Sequence, residues 1–420
     1  MEVLQLLPGV TLRFFRDTRF KQGALSLQFL RPMCREEAAL NALLPAVLLR
    51  GTENHPDLRA ITLHLDDLYG AAVGALVRRI GDYQTTGLYC GFMEDKFALP
   101  GEEILRPMVD FLEELLLHPL LEKGVFSEDF VESEKKNLIS TIQSEKNDKR
   151  IYASAQLLKT MCRKDPFGLP RLGSVTDVRR ITPETLYHHY LKVLETSPLE
   201  IFYVGSAEPQ MLAGLLKEKF SKIGGNIRAL PAQTPFHPCE KCEKVEKMDV
   251  SQGKLCLGFL TPITNRDARF APMQVMNTVF GSGMTSKLFM TVREKLSLCY
   301  AIGSSYYGAK GILTVSAGID TEKESIVRQE IFRQLEACQA GDITQEELDA
   351  AKEAILSSLR TVHDSPGAIE NYYSTAALSG LSMTTAEYSA KVSAVTVADV
   401  AAAAKSLEYH TGFFLKGGDA

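Results

Sequence analysis

Phe126-Ser-Glu-Asp-Phe-Val-Glu-Ser-Glu-Lys-Lys-Asn-Leu-Ile-Ser140 and Ile343-Thr-Gln-Glu-Glu-Leu-Asp-Ala-Ala-Lys-Glu-Ala-Ile-Leu-Ser357 read as one helix written twice, 217 positions apart from 126 to 343. Val131, Glu132, Lys135, Leu138, Ile139 and Ser140 of the first copy match Leu348, Asp349, Lys352, Ile355, Leu356 and Ser357 of the second without a gap. The apolar members recur at helical spacing, so both copies present one apolar face. Farther on, Ile181-Thr-Pro-Glu-Thr-Leu186 matches Val395-Thr-Val-Ala-Asp-Val400, and Ile201-Phe-Tyr-Val-Gly205 matches Phe413-Phe-Leu-Lys-Gly417 at nearly the same offset. Thr182 and Thr396 stand where an N-cap hydroxyl satisfies free backbone N–H groups. The pattern is that of a tandem duplication of one α+β unit.

Outward from these helices, the order of elements repeats as well. Strand patterns at Val10 to Arg16 and Ala24 to Leu30 precede an apolar helix through Leu40, Leu43, Leu44, Val47 and Leu48, closed by Gly51-Thr52. A helix from about Pro56 to Leu68, strands at Ala72 to Arg79 and Tyr83 to Met93, and helices at Glu102 to Leu117 and Glu128 to Glu145 follow. Gly224 to Lys247, with Gly-Gly, several prolines and the run Cys-Glu-Lys-Cys-Glu-Lys, reads as an exposed linker. It divides an N-terminal domain, 1–223, from a C-terminal domain, 248–420. The second domain opens with a strand at Lys254 to Leu260, helices at Ala268 to Phe280 and Thr285 to Glu294, and strands around Tyr300 and at Ile312 to Ala317.

The totals narrow the function. With 420 residues, the chain exceeds one ordinary core, and 45% apolar and 24% charged residues are those of a water-soluble globular protein. A net charge of −5 and a pI near 6.0, with no basic cluster, exclude a nucleic-acid carrier. No segment has the length and apolarity of a membrane span, and Met1 to Val10 lacks signal-peptide features. Eight cysteines without framework spacing suit reduced thiols, so a cytoplasmic location is expected.

Four segments carry a family likeness: Arg50-Gly-Thr52, Asp165-Pro-Phe-Gly-Leu-Pro-Arg-Leu-Gly-Ser174, Phe280-Gly-Ser-Gly-Met-Thr-Ser-Lys-Leu-Phe289 with Arg293 and Tyr300, and Gly341-Asp-Ile-Thr-Gln-Glu-Glu-Leu348. Together they resemble the inverzincin zinc metallopeptidases of the pitrilysin, insulinase and mitochondrial-processing-peptidase type. Leu65-Asp-Asp-Leu-Tyr-Gly-Ala71 is most similar to the bacterial YmfF-type members, which are non-catalytic and occur alongside a catalytic relative. The resemblance implies an α+β fold of two homologous domains, each a mostly antiparallel sheet with helices packed on one face, forming half of a clam-shell chamber.

Active members of that family carry His-x-x-Glu-His on the helix that ends in Gly-Thr. Residues four apart share a helix face, so both imidazoles reach one zinc while the Glu activates its water. Here those positions hold Ala42, Pro45 and Ala46. The family's third ligand is a Glu seven residues after another; with Glu134 matched to the first, the ligand position falls on Thr141. A slip by one turn would offer Glu145, and a single carboxylate does not make a catalytic zinc site. No zinc and no autonomous peptidase activity are expected. Pro45 also removes a helix hydrogen bond at a cost of about 3 kcal/mol, which predicts a kink or interruption of the helix there.

Arg293 and Tyr300 are retained. The resemblance implies that this pair contacts substrate near the scissile bond, and that some members divide the zinc motif and the Arg/Tyr pair between two subunits. The chain therefore reads as a non-catalytic subunit of a heteromeric zinc metallopeptidase, an HxxEH-bearing homologous partner supplying zinc and general base to a peptide or protein substrate. The alternative is a catalytically dead scaffold or peptide-binding chamber of the same fold, as a homodimer. An enzyme of different chemistry is a third reading, for which no Ser/His/Asp, Cys/His or cofactor constellation can be assembled.

Other motifs have bland readings. Cys239-Glu-Lys-Cys242, even with His237, lacks the four ligands of a zinc ribbon. His188 and His189 diverge by about 100° on a helix and read as surface or cap packing. Asp66-Asp67 and the acidic stretch from Glu128 to Glu134 read as solvated faces. Gly281-Ser-Gly283 followed by Lys287 lacks a P-loop ending and reads as a helix-to-helix turn.

Overall fold

The structure, a computed structural model, describes residues 1–230, 236 and 239–417. Two compact units form, and neither is consecutive in the chain. The first comprises Met1–Gln143, Pro170–Ala232 and His363–Thr375; the second comprises Ser144–Leu169, Gln233–Val362 and Ala376–Ala420.

The first unit is built on a six-stranded sheet of β1 (Glu2–Leu7), β2 (Val10–Arg16), β3 (Gln22–Pro32), β4 (Ala72–Ile80), β5 (Tyr83–Met93) and β6 (Leu199–Gly205), in the order β1-β2-β6-β3-β5-β4. The second unit has β7 (Cys242–Met248), β8 (Gly253–Leu260), β9 (Cys299–Tyr307), β10 (Ile312–Ile319) and β11 (Glu408–Gly417), in the order β9-β10-β8-β11-β7. Followed from their β4 and β9 edges, both sheets run through three antiparallel pairings and then one parallel pairing, β6 with β2 and β11 with β7. The duplication seen in the helices is therefore a duplication of sheet topology, and β1 is an addition to the first copy. The fold is α+β.

In the first unit Leu25, Leu27 and Phe29 of β3 share one apolar core with Leu43 and Val47 of α1 (Arg35–Leu48) and with Phe111, Leu112 and Leu115 of α2 (Leu105–Leu117). Each such side chain, removed from water, contributes about 1.5–3 kcal/mol. Alternation along the strand sends Ser26 and Gln28 to the opposite face, where both are fully buried. There Glu370 of the helix Pro366–Ser379 accepts from Ser26 Oγ at 2.7 Å and Gln28 Nε2 at 3.0 Å, and pairs with Arg78 at 2.9 Å.

The second unit repeats this plan with a helix from the other half of the chain. Ala153 and Leu157 of α4 (Lys149–Met161) pack on Cys256, Phe413 and Leu415, while Met161 and Phe167 pack near Ile312. Lys310 and Asp165, both almost wholly inaccessible, pair at 3.0 Å. Residues 144–169 and 363–375 thus exchange between the repeats, each covering a sheet face in the unit built mainly from the other half. A main helical layer lies on one face of each sheet, and the exchanged segment lies on the other.

Two local expectations change. α1 runs unbroken through Pro45. Pro45 leaves the carbonyl of Asn41 without its helical donor, and the buried Thr86 hydroxyl on β5 donates to that oxygen at 2.7 Å. The lost bond is replaced from the sheet, so no interruption follows. The stretch 224–247, expected as linker, ends inside strand β7, whose Glu243, Lys244 and Lys247 are exposed on a sheet edge. Charged residues on an edge strand deter pairing with other chains and erase the alternation that marks a strand.

Candidate functional site

The helix that would carry a zinc motif is intact and chemically empty. Ala42 is buried, Ala46 is half-buried, and Pro45 lines a small apolar gap with Phe29, Leu44, Leu48, Leu116 and Tyr190. Beside them lies a closed polar network. His189 Nε2 stands 2.7 Å from Asn41 Oδ1, Asn41 Nδ2 donates to Gln84 Oε1 at 2.9 Å, and Gln84 Nε2 donates to the carbonyls of Ala38 and Arg171. That donor order assigns the Nε2–H tautomer to His189. Burial pushes its pKa down to about 4, so it is neutral at physiological pH. Of the pair expected in surface or cap packing, His189 is a packing residue buried in the interior, because the polar network satisfies it there.

The Gly51-Thr52 signature is structural here. A Cβ on Gly51 would stand 2.6 Å from the carbonyl oxygen of Pro56. Thr52, fully buried, donates to Glu114, which also holds His55 Nδ1 at 2.9 Å. On α3 (Glu128–Asn147), Glu134 pairs with Arg50 at 3.3 Å. Thr141 is exposed and returns its hydroxyl to the carbonyl of Asn137 at 3.0 Å. Alanine and proline offer no metal donor, and one threonine does not replace three ligands. The residues present do not fit a zinc ion, and among the described residues no group of three or more His, Cys, Asp or Glu could hold a metal.

Arg293 and Tyr300 come together in the second unit. α5 (Phe270–Phe280) ends at Gly281, where a Cβ would meet Ser304 Oγ at 2.7 Å and Leu288 at 2.8 Å. The turn then enters a helix over Leu288–Lys295 that is π rather than α. Leu296 N bonds Thr291 O and Leu298 N bonds Val292 O, each at 2.9 Å. Lys287, far from any phosphate role, is nearly buried and paired with Glu347 at 2.9 Å. Glu347 closes the capping box of α6 (Gln345–Thr361) with Thr344, so the turn before Arg293 is tied to the Gly341–Leu348 signature.

Arg293, Glu294, Ser297, Tyr300, Asp320 and Lys323 line one open depression of about 360 Å³. The Arg293 guanidinium lies over the Phe289 ring at 4.6 Å and 3.7 Å from Glu294. Tyr300 is 59% exposed, and its hydroxyl donates to Asp320 Oδ1 at 3.4 Å. Lys323, at 2.9 Å, holds the Asp320 carboxyl below the usual carboxylate range. The part-exposed Arg293 guanidinium can receive a peptide carbonyl, and the Tyr300 hydroxyl can join it by turning its one proton from the long contact with Asp320. Burial pushes the Cys299 thiol up to about 11, so it is not a ready nucleophile at neutral pH.

Phe289, Asp320 and Lys323 were not singled out from sequence. Phe289 had a signal in its place four residues before a helical arginine; Asp320 and Lys323 had none. A second missed feature is the groove beside β4, the strand expected at Ala72 to Arg79, which forms the far edge of the first sheet. Gly74, Ala75, Val77, Arg78, Tyr89 and Glu370 are among the residues lining an open groove of about 470 Å³ along it.

The remaining motifs carry no chemistry. Cys239 Sγ bonds the carbonyl of Met161 at 3.1 Å, Cys242 opens β7, and His237 lies outside the described residues. Asp66 and Asp67 are exposed, and Glu132 pairs with Lys135 at 2.6 Å. No helix of the described residues is long and apolar enough to cross a membrane.

Comparison with known proteins adds four findings. A family model described as the peptidase M16 inactive domain matches residues 180–355. A probable inactive metalloprotease of Bacillus subtilis strain 168, YmfF, is 30% identical over 410 residues, covering 97% of this chain and 96% of that relative. A crystal structure of a conserved protein from Enterococcus faecalis V583 superposes with a TM-score of 0.92 at 28% identity, over 99% of this chain and 98% of the other. A crystal structure of a peptidase M16 inactive domain from Pseudomonas fluorescens, 18% identical, shares the fold with a TM-score of 0.81 over 100% and 98% of the two chains.

Proposed function

This chain belongs to the M16 metallopeptidase family, and we propose that it is a non-catalytic member serving as the substrate-contacting subunit of a heteromeric zinc peptidase. One observation carries the proposal: the same chain has no ligand at Ala42, Ala46 or Thr141 and keeps Arg293 and Tyr300 facing one depression. Charged and phenolic donors exposed to solvent cost nothing to a scaffold, but an aimed pair is what an extended peptide carbonyl requires. The partner, a homologous HxxEH subunit, would supply zinc and general base; this chain would bind and orient the peptide. We place the complex in the cytoplasm, in keeping with eight free thiols.

A peptide-binding scaffold without catalysis is the second reading, favoured by the open edge of β4. An extended segment can add to such an edge through main-chain hydrogen bonds. Co-purification of the chain with an HxxEH-bearing homologue, zinc analysis of each subunit and a peptidase assay of the pair separate the two. Peptidase activity that needs both chains and falls with Arg293→Ala supports the first reading. Peptide binding without cleavage by any pairing leaves the second, and stoichiometric zinc in this chain alone overturns both.

A further inference from the structure

Eight consecutive residues in a π-helix are uncommon, and wide turns of this kind cluster at functional sites. In this one the i to i+5 closure adds a residue to the turn, which rotates everything beyond it by about 100° relative to an α-helix. The local sequence does not require it: Leu288-Phe-Met-Thr-Val-Arg-Glu-Lys295 has neither proline nor glycine. Burial of two of its residues and local hydrogen bonds hold its ends. Leu288 and Val292 are fully buried, Ser286 caps the start by accepting from Phe289 N at 3.3 Å, and Leu298 N closes back on Val292 O. Phe289 and Arg293, four residues apart and both half-buried, lie over one another at 4.6 Å, as residues at this spacing do on a helix.

A guanidinium over an aromatic face at that distance is attracted by the ring and loses rotamer freedom. Glu294, at 3.7 Å from Arg293 and half exposed, restrains it little. We propose that Phe289 is the positioning residue for Arg293: its ring, packed under the guanidinium, holds that side chain at the depression shared with Tyr300. The inference rests on the substrate role given above to Arg293. It adds the reason that the side chain is aimed before a peptide arrives: the ring restricts the guanidinium at the stage when the bound peptide would otherwise have to order it.

The test measures both positioning and use. In the full chain labelled with 15N-arginine, the Arg293 side-chain signal, assigned by its absence in Arg293→Lys, is expected upfield from ring shielding. Phe289→Leu is expected to move it to the free-arginine position and Phe289→Tyr to restore it. In parallel, fluorescein-labelled casein peptides are titrated by anisotropy. Phe289→Leu is expected to weaken binding about two- to fivefold, Phe289→Tyr to retain it, and Phe289→Leu to have no further effect in an Arg293→Ala background. Binding that falls in Arg293→Ala and stays at the parent value in Phe289→Leu overturns the positioning role and leaves the substrate role standing. Binding unchanged in Arg293→Ala overturns the substrate role, and the inference with it.

Discussion

Replacing Glu370 by alanine should be among the most damaging single changes in the first unit. The side chain is fully inaccessible and receives Ser26 Oγ, Gln28 Nε2 and two nitrogens of Arg78 at 2.7 to 3.1 Å. Removing one member of a buried pair costs about 3–5 kcal/mol, because the other charge is left without its partner. Arg78 retains 23% side-chain exposure, so water relieves it in part and the lower end applies. Ser26 and Gln28, both at 0% exposure, lose an acceptor that no water replaces, adding about 1 kcal/mol. The sum is about 4 kcal/mol, or a drop of about 8–16 °C in the melting temperature of a unit this size. The chain has no tryptophan, so urea unfolding is best followed by far-UV circular dichroism. Glu370→Gln, which keeps an acceptor for Ser26, should lose about half as much. A Glu370→Ala loss below about 1 kcal/mol at unchanged m-value would refute the argument that this carboxylate fastens the exchanged helix.

Further outcomes follow from other sites. Asp165→Ala should cost the second unit about 3–5 kcal/mol by removing the carboxylate paired with the buried Lys310, whereas Asp165→Leu combined with Lys310→Met should recover most of it; equal losses in both would contradict the buried pair. His189 is neutral when folded, with a pKa near 4, and about 6.5 when unfolded, so the unfolded chain binds more protons between those values. Stability should therefore be full above about pH 6.5 and decline by about 3 kcal/mol as pH falls toward 4, a slope that His189→Gln should flatten in urea titrations. Thr86→Val leaves the Asn41 carbonyl without a donor beside Pro45 and should cost about 1–3 kcal/mol by the same measurement; Pro45→Ala in that background should restore part, since the backbone N–H that the substitution introduces then reaches Asn41 O. Arg293→Ala and Tyr300→Phe should each lower peptide turnover by a complex with an HxxEH subunit while leaving the melting temperature within about 1 °C, both side chains being substantially exposed.

Local signals were strong wherever an element is half-buried and regular. β2 and β5 occupy the residues their alternation predicts, Val10–Arg16 and Tyr83–Met93, and Thr182 and Thr396 cap helices as their positions in the repeat suggest. The signal failed at sheet edges. β1 and β7 have one unpaired side and expose much of their length, so neither carries the contrast of buried and exposed residues on which periodicity depends. Leu288–Lys295 reads as an ordinary helix from sequence because it holds neither proline nor glycine and its side chains do not mark the one added residue per turn.

The absence of metal-binding side chains at Ala42, Pro45, Ala46 and Thr141, the presence of Arg293 and Tyr300, and the duplication itself are matters of residue identity and order, and a linear reading reaches them. Which half of the chain completes which sheet is not. The helices α4 and Pro366–Ser379 have the same periodicity whether they pack on their own repeat or on the other. Only three-dimensional proximity brings Glu370 to Arg78 and Asp165 to Lys310, or Asp320 beside Tyr300. Hydrophobic pattern states that a face must be covered; the burial of particular charges and the shape of the sheet decide by what.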